Sequence, residues 1–220
     1  MPAIDLRLYA VLDPTRTRGR DPVQLAMEAA AGGITLLQLR DKTSDTRDWV
    51  ALARAVRAAL GAFDVPLLIN DRVDVALAVG ADGVHVGLTD MAPDDARRLL
   101  GPDAVLGITV HHAPEAAAVP PGLADYAGLG PVYATASKDP GDPPLGPEGL
   151  ARLIEGVHRH HPGLPVCGIA GIDHENAAAV ITAGADGVAV ISDIFMADDV
   201  EAATRRLRLV VDAAIHGRQA

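Results

Sequence analysis

The sequence predicts an α/β protein in which a single chain closes into one (β/α)8 barrel. Three observations point there. Short Val/Ile/Leu runs alternate with longer Ala-rich stretches of helical spacing along the whole chain. Near-continuous apolar runs are what parallel strands covered on both faces require. One turn-plus-strand unit also recurs: AVGADGVHVG (78–87) is echoed by TAGADGVAVI (182–191), and more faintly by GLADYAGLG (122–130) and AAGGITLLQL (30–39). Finally, no GxGxxG follows the first apolar run, which weakens the open dinucleotide-binding alternative.

In chain order the predicted strands are Leu8–Leu12, Thr35–Leu39, Pro66–Ile69, Gly83–Gly87, Val105–Thr109, Tyr126–Gly130, Pro165–Ile169 and Gly187–Ile191. Between them, Trp49–Leu60 carries Val50, Ala53, Val56 and Leu60 at helical intervals, and Pro147–Val157 and Asp199–Ala214 read the same way. Eight units over 220 residues come to about 27 residues each, a compact version of the usual barrel. In the repeated unit, Gly80 and Gly184 are expected to end helices in the left-handed conformation, with Asp82 and Asp186 bonding the turn backbone. No linker divides residues 1–220. The Pro/Gly/Asp-rich stretch 133–147 is long for a βα loop and reads as a lid over the site.

Composition narrows the function classes. Lys plus Arg number 19 against 29 Asp plus Glu, a net charge of −10. That balance argues against nucleic-acid or anionic-membrane partners and leaves small molecules as the expected ligands. Apolar residues make up 49% of the chain but aromatics only 3%, so Ala, Val, Leu and Ile must build the core between closely packed elements. The one cysteine, Cys167, excludes an internal disulfide and a cysteine zinc cluster, and reads as core. No apolar run is long enough to span a bilayer, and the N-terminal stretch lacks a signal-peptide pattern; a cytoplasmic protein is expected.

Barrel chemistry sits at the C-terminal ends of the strands. There the second strand ends Gln38-Leu39-Arg40-Asp41-Lys42, and period two sends Gln38, Arg40 and Lys42 to one side. Asn70 and Asp71 end the third strand, and Asp90 follows the fourth. Thr109 ends the fifth, with His111 and His112 beyond it. Thr135, Ala136, Ser137 and Lys138 follow the sixth, Gly171 the seventh, and Ile191-Ser192 the eighth. Two carboxylates from neighbouring strands suit Mg²⁺, which takes one or two protein oxygens and completes its octahedron with water and phosphate. Cations beside them suit a diphosphate, and the seventh and eighth loops are the usual phosphate site of such barrels. His85 reads as a packed or supporting histidine. Asp71 and Asp90 could each instead cap a helix. His158, His160 and His161 read as a helix end rather than a metal site.

From YAVLD through GGITLLQLRDK, LLINDRVDVALAVGADGVHVG, DYAGLGPVYATASK, GIAGI and GADGVAVIS, the chain resembles the thiamine-phosphate synthase family over nearly its whole length. The resemblance implies a TIM barrel that joins a hydroxymethylpyrimidine diphosphate to a thiazole phosphate and releases pyrophosphate. It implies that Gln38, Leu39, Arg40, Asp41, Lys42 and Asn70 line the pyrimidine diphosphate site, with Thr109 where the family usually has a serine. Asp71 and Asp90 would hold Mg²⁺, and Lys138 would bind diphosphate. Thr135, Ala136, Ser137, Gly171, Ile191 and Ser192 would hold the thiazole phosphate. Arg40, Lys42 and Lys138 would stabilise the leaving group. Leu88 stands where the family commonly has Gln, and Ser137 where it has Thr. The alternatives are a thiazole tautomerase of the same barrel, which His111 and His112 would serve, and a non-catalytic phosphate-ligand binder.

Overall fold

The computed structural model describes residues 4–135 and 143–219. Eight parallel strands close in sequence order: β1 (Leu8–Leu12), β2 (Leu36–Leu39), β3 (Leu67–Asn70), β4 (Gly83–Val86), β5 (Val105–Val110), β6 (Tyr126–Leu129), β7 (Val166–Ile169) and β8 (Gly187–Val190), which pairs back with β1. Each matches its predicted position to within a residue at either end. The helices are α1 (Pro22–Gly32), α2 (Thr46–Leu60), α3 (Val73–Val79), α4 (Pro93–Leu100), α5 (Ala113–Ala118), α6 (Gly146–His160), α7 (Ala177–Thr182), α8 (Ser192–Phe195) and α9 (Val200–Gln219). Helices α2, α6 and α9 each extend about a turn beyond the predicted range at one end, where polar residues carry on the helix without the apolar rhythm.

Alternation along the strands builds two apolar layers. Leu8, Ala10, Leu37, Leu39, Ile69, Val84, Ile108, Leu129 and Val188 face the helices in one cluster. Tyr9, Val11, Leu36, Leu68, Tyr126, Cys167 and Ala189 form a separate cluster inside the barrel. The two layers explain why the strands read as unbroken hydrophobic runs.

The repeated unit has a clear structural meaning. Gly80 ends α3 in the left-handed region at φ 66°, and Gly184 follows α7 at φ 112°. The polar residue before each even strand then reaches across to the odd strand before it. Leu8 N–H donates to Thr35 Oγ1 (3.0 Å), Leu67 N–H to Asp82 Oδ2 (2.8 Å), Leu106 N–H to Asp125 Oδ2 (2.7 Å) and Val166 N–H to Asp186 Oδ2 (2.9 Å). The expected bond to the local turn is thus a bond to the neighbouring strand. These four contacts staple the barrel at the N-terminal ends of its strands.

Of the expected lid, residues 136–142 lie outside the described residues. Among the described residues no helix is long and apolar enough to cross a membrane.

Candidate active site

A cavity of about 660 Å³ opens at the C-terminal ends of the strands, within the size range of small-ligand sites. It is lined by Gln38, Arg40, Lys42, Asn70, Asp71, Asp90, Thr109, Thr135, Gly171, Ile191 and Ser192. Eleven predicted residues from seven segments therefore converge. Leu39 and Asp41 do not. Leu39 points the other way from Gln38 and is fully buried against the helices, as strand alternation requires. The Asp41 carboxylate turns back to accept from Thr43 N–H (2.9 Å) and Ser44 N–H (2.9 Å), which shapes the loop. These hydrogen bonds hold its carboxyl below the usual range despite its burial. Ala136, Ser137 and Lys138 lie outside the described residues.

The acidic pair sits where β3 and β4 end. Asp71 adopts φ 62° and, with Arg72 taking the first-cap position of α3, is not a helix cap. Its side chain meets the Lys42 ammonium and lies in hydrogen-bond contact with Asp90. Burial pushes the Asp71 carboxyl up to about 6, and the adjacent Asp90 carboxylate adds to the rise while Lys42 opposes it. Asp90 is fixed by a loop bond, Gly87 N–H to its Oδ2 at 2.8 Å, rather than by capping α4, whose cap is Ala92.

Two half-buried carboxyls side by side suit a cation. The hard oxygen donors fit Mg²⁺, and their number fits an ion that takes the rest of its ligands from water and phosphate. Among the described residues no group of three or more His, Cys, Asp or Glu is placed to hold a metal.

Arg40 is positioned by a residue that sequence reasoning missed. Asp13, 4% exposed at its side chain, accepts from Arg40 Nη1 at 2.5 Å and from Thr15 N–H at 2.9 Å. Its only sequence signal is its place directly after β1. Arg16, also unforeseen, adds a third cation to the lining. Asn70 carries a buried Nδ2 with no hydrogen-bond partner. An unsatisfied buried donor at a cavity wall calls for an acceptor from a ligand.

Across the ring, Ala170 and Gly171 both take positive φ (72° and 68°). A Cβ on Gly171 would stand 2.5 Å from Ala134 O, so the loops after β6 and β7 touch there without room for a side chain.

A buried polar chain runs along the cavity floor, with Tyr9, Gln38, His85 and Thr109 in the lining. Gln38 Nε2 donates to Tyr9 Oη, Tyr9 and Tyr126 hydroxyls meet at 2.8 Å, Tyr126 Oη meets His85 Nδ1 at 2.8 Å, and His85 Nε2 meets Thr109 Oγ1 at 2.8 Å. His85 is packed inside the barrel with both ring nitrogens in hydrogen-bond contact. Tyr9 and Tyr126 read as core because their partners lie on distant strands.

His111 and His112 do not line the cavity. Their backbone N–H groups donate to Glu115 Oε2 at 2.6 and 3.2 Å, where they open α5. His158 Nε2 meets Leu164 O and His161 Nε2 meets Ala116 O at 2.7 Å, so both serve the end of α6.

Residues 8–194 match the family model described as thiamine monophosphate synthase. The chain is 48% identical over 219 residues to the thiamine-phosphate synthase of Agrobacterium fabrum, covering 100% of both chains. It is 45% identical to that of Chloroflexus aurantiacus, covering 94% of each. Among solved structures, the thiamine phosphate pyrophosphorylase of Pyrococcus furiosus superposes with a TM-score of 0.82 at 35% identity, covering 96% of this chain and 98% of that one. On the family match and full-length identity together, the chain belongs to the thiamine monophosphate synthase family.

Proposed function

We propose that this cavity joins a hydroxymethylpyrimidine diphosphate to a thiazole phosphate, giving thiamine phosphate and pyrophosphate. One observation carries the reading: Arg40, Lys42, Asp71 and Asp90, from three neighbouring strands, meet on one wall of the cavity. Such a set fits a departing polyanion. The methylene C–O bond breaks with its electron pair leaving on diphosphate, and the thiazole nitrogen lone pair forms the new C–N bond. The hard requirement is therefore charge stabilisation on the leaving group.

Arg40, held by Asp13, and Lys42 face that charge. Asp71 and Asp90 would hold Mg²⁺, which when bound neutralises charge on the leaving oxygens. Lys42 now pairs with Asp71; with the carboxylates engaged elsewhere, its ammonium is released toward phosphate. Gln38, Asn70 and Thr109 offer the hydrogen-bonding wall for the pyrimidine. Gly171, Ile191 and Ser192, at the ends of β7 and β8, are placed to take the thiazole phosphate. By the family resemblance, Thr135, Ala136 and Ser137 join them and Lys138 binds diphosphate. The buried wall keeps water from the reactive carbon.

The test is incubation with both substrates and Mg²⁺. Stoichiometric pyrophosphate and thiamine phosphate support the reading; thiazole isomerisation alone, or binding without product, overturns it. Lys138→Ala should depress turnover strongly, and near-normal turnover would remove Lys138 from the leaving-group site.

A further inference from the structure

We propose that the buried chain Gln38–Tyr9–Tyr126–His85–Thr109 is a one-way hydrogen-bond relay that sets which side of the pyrimidine pocket donates and which accepts. The proposal deepens the function given above and rests on it for the identity of the heterocycle. Its members come from β1, β2, β4, β5 and β6, so the relay crosses the barrel interior.

Direction follows from counting protons. Tyr9 is 1% exposed and Tyr126 0%, and burial raises both phenols well above their ordinary range, so each carries one proton. Gln38 Nε2 donates to Tyr9 Oη. In the proposed sense the Tyr9 proton points at Tyr126, 2.8 Å away. The Tyr126 proton in turn serves His85 Nδ1, also at 2.8 Å. A histidine that accepts at Nδ1 carries its proton on Nε2 when neutral, and that proton faces Thr109 Oγ1 at 2.8 Å. The Thr109 hydroxyl, its oxygen now an acceptor for His85, is left to donate into the cavity. At the other end, Gln38 has committed its amide nitrogen to Tyr9 and turns its carbonyl oxygen to the cavity.

A five-member chain of this kind has two polarities, and reversing one link reverses all. In the proposed sense the wall offers an acceptor at Gln38 and a donor at Thr109. An aminopyrimidine answers both, with its exocyclic amine donating and a ring nitrogen accepting. The 4-oxo counterpart presents an oxygen where the amine stood and an N–H beside it, the opposite pattern. Tyr126 does not line the cavity, so it acts as a positioning residue for groups that do. Room for its ring is built in: a Cβ on Gly107 would lie 2.1 Å from Tyr126 Cζ.

The relay is tested first without turnover. Long-range ¹H–¹⁵N correlation spectra of the ¹⁵N-labelled protein report the tautomer of His85, assigned by the signal lost in His85→Gln. The wild type should show the Nε2–H form. Tyr9→Phe leaves Tyr126 free to donate to His85 and should keep that form. Tyr126→Phe, which retains the ring, removes the donor to Nδ1 and should shift His85 toward Nδ1–H. Calorimetric titration with 4-amino-5-hydroxymethyl-2-methylpyrimidine and its 4-oxo analogue supplies the second readout. The wild type should favour the amine by about tenfold or more, and Tyr126→Phe should lose most of that preference. An Nδ1–H or doubly protonated His85 in the wild type, an unchanged tautomer in Tyr126→Phe, or equal wild-type affinity for the two heterocycles would overturn the relay. Failure of the two-substrate incubation with the tautomer pattern intact strikes the proposed function; product formation with the pattern reversed strikes only the relay.

Discussion

Gly107→Ala is the sharpest probe of how tightly the barrel interior is filled. The new Cβ would lie 2.1 Å from Tyr126 Cζ and 2.3 Å from both Cε1 and Oη. Ordinary carbon contacts are about 3.5–4.0 Å, so the ring must move by more than about 1 Å. The backbone has little freedom to yield instead, because Gly107 is in register with His85 on one side and Tyr126 on the other. Taken alone, removing a glycine from a strand stabilises by about 0.5–1 kcal/mol. Overpacking a full interior costs about 1–3 kcal/mol. Moving the phenol also strains its bonds to Tyr9 and His85, and a buried polar group left unpaired costs about 1–3 kcal/mol. The unfavourable effects win, and a net loss of about 2–4 kcal/mol is expected.

Urea unfolding measures it: with a slope near 2 kcal/mol/M the midpoint should fall by about 1–2 M at unchanged slope. In a Tyr126→Leu background, where the ring is gone, the same substitution should be nearly neutral. Equal midpoints for Gly107→Ala and the wild type, or the same loss in both backgrounds, would refute the packing argument.

Asp13→Asn keeps an oxygen for Thr15 but turns an N–H toward the Arg40 guanidinium; with Arg40 partly exposed, the loss should be about 1–2 kcal/mol, seen in unfolding and as a raised KM for the diphosphate substrate but not for the thiazole phosphate. Gly171→Ala puts a Cβ at positive φ and against Ala134 O, so binding of the thiazole phosphate should weaken by about tenfold or more, measured as its KM. The Cys167 thiol, fully buried and pushed up to about 12, should ignore Ellman's reagent at neutral pH in the folded protein and react fully in concentrated urea.

The strands were legible because burial on both faces writes itself as continuous Val/Ile/Leu runs, and the ring order follows from the alternation with helices. Gln38, Arg40 and Lys42 were legible from period two, and that same period should have excluded Leu39 and Asp41, which the resemblance carried along as part of a contiguous block. Asp71 and Asp90 could be read as caps or ligands from sequence alone; the structure gives the cap positions to Arg72 and Ala92 and brings the two carboxyls into contact. Tyr9, Tyr126 and Asp13 were not legible as site residues. The first two sit within apolar runs, and each gains its meaning from a side chain far away in sequence. Arg16 lies in a short 3-10 turn with no periodic signal.

The four staples by Thr35, Asp82, Asp125 and Asp186 divide the ring into quarter-turns, each a strand pair tied at its base. A barrel assembled from such quarters keeps its closure at one end while the loops at the other are free to diverge. The echoes in the chain fall before the even strands because those are the positions that carry the staples.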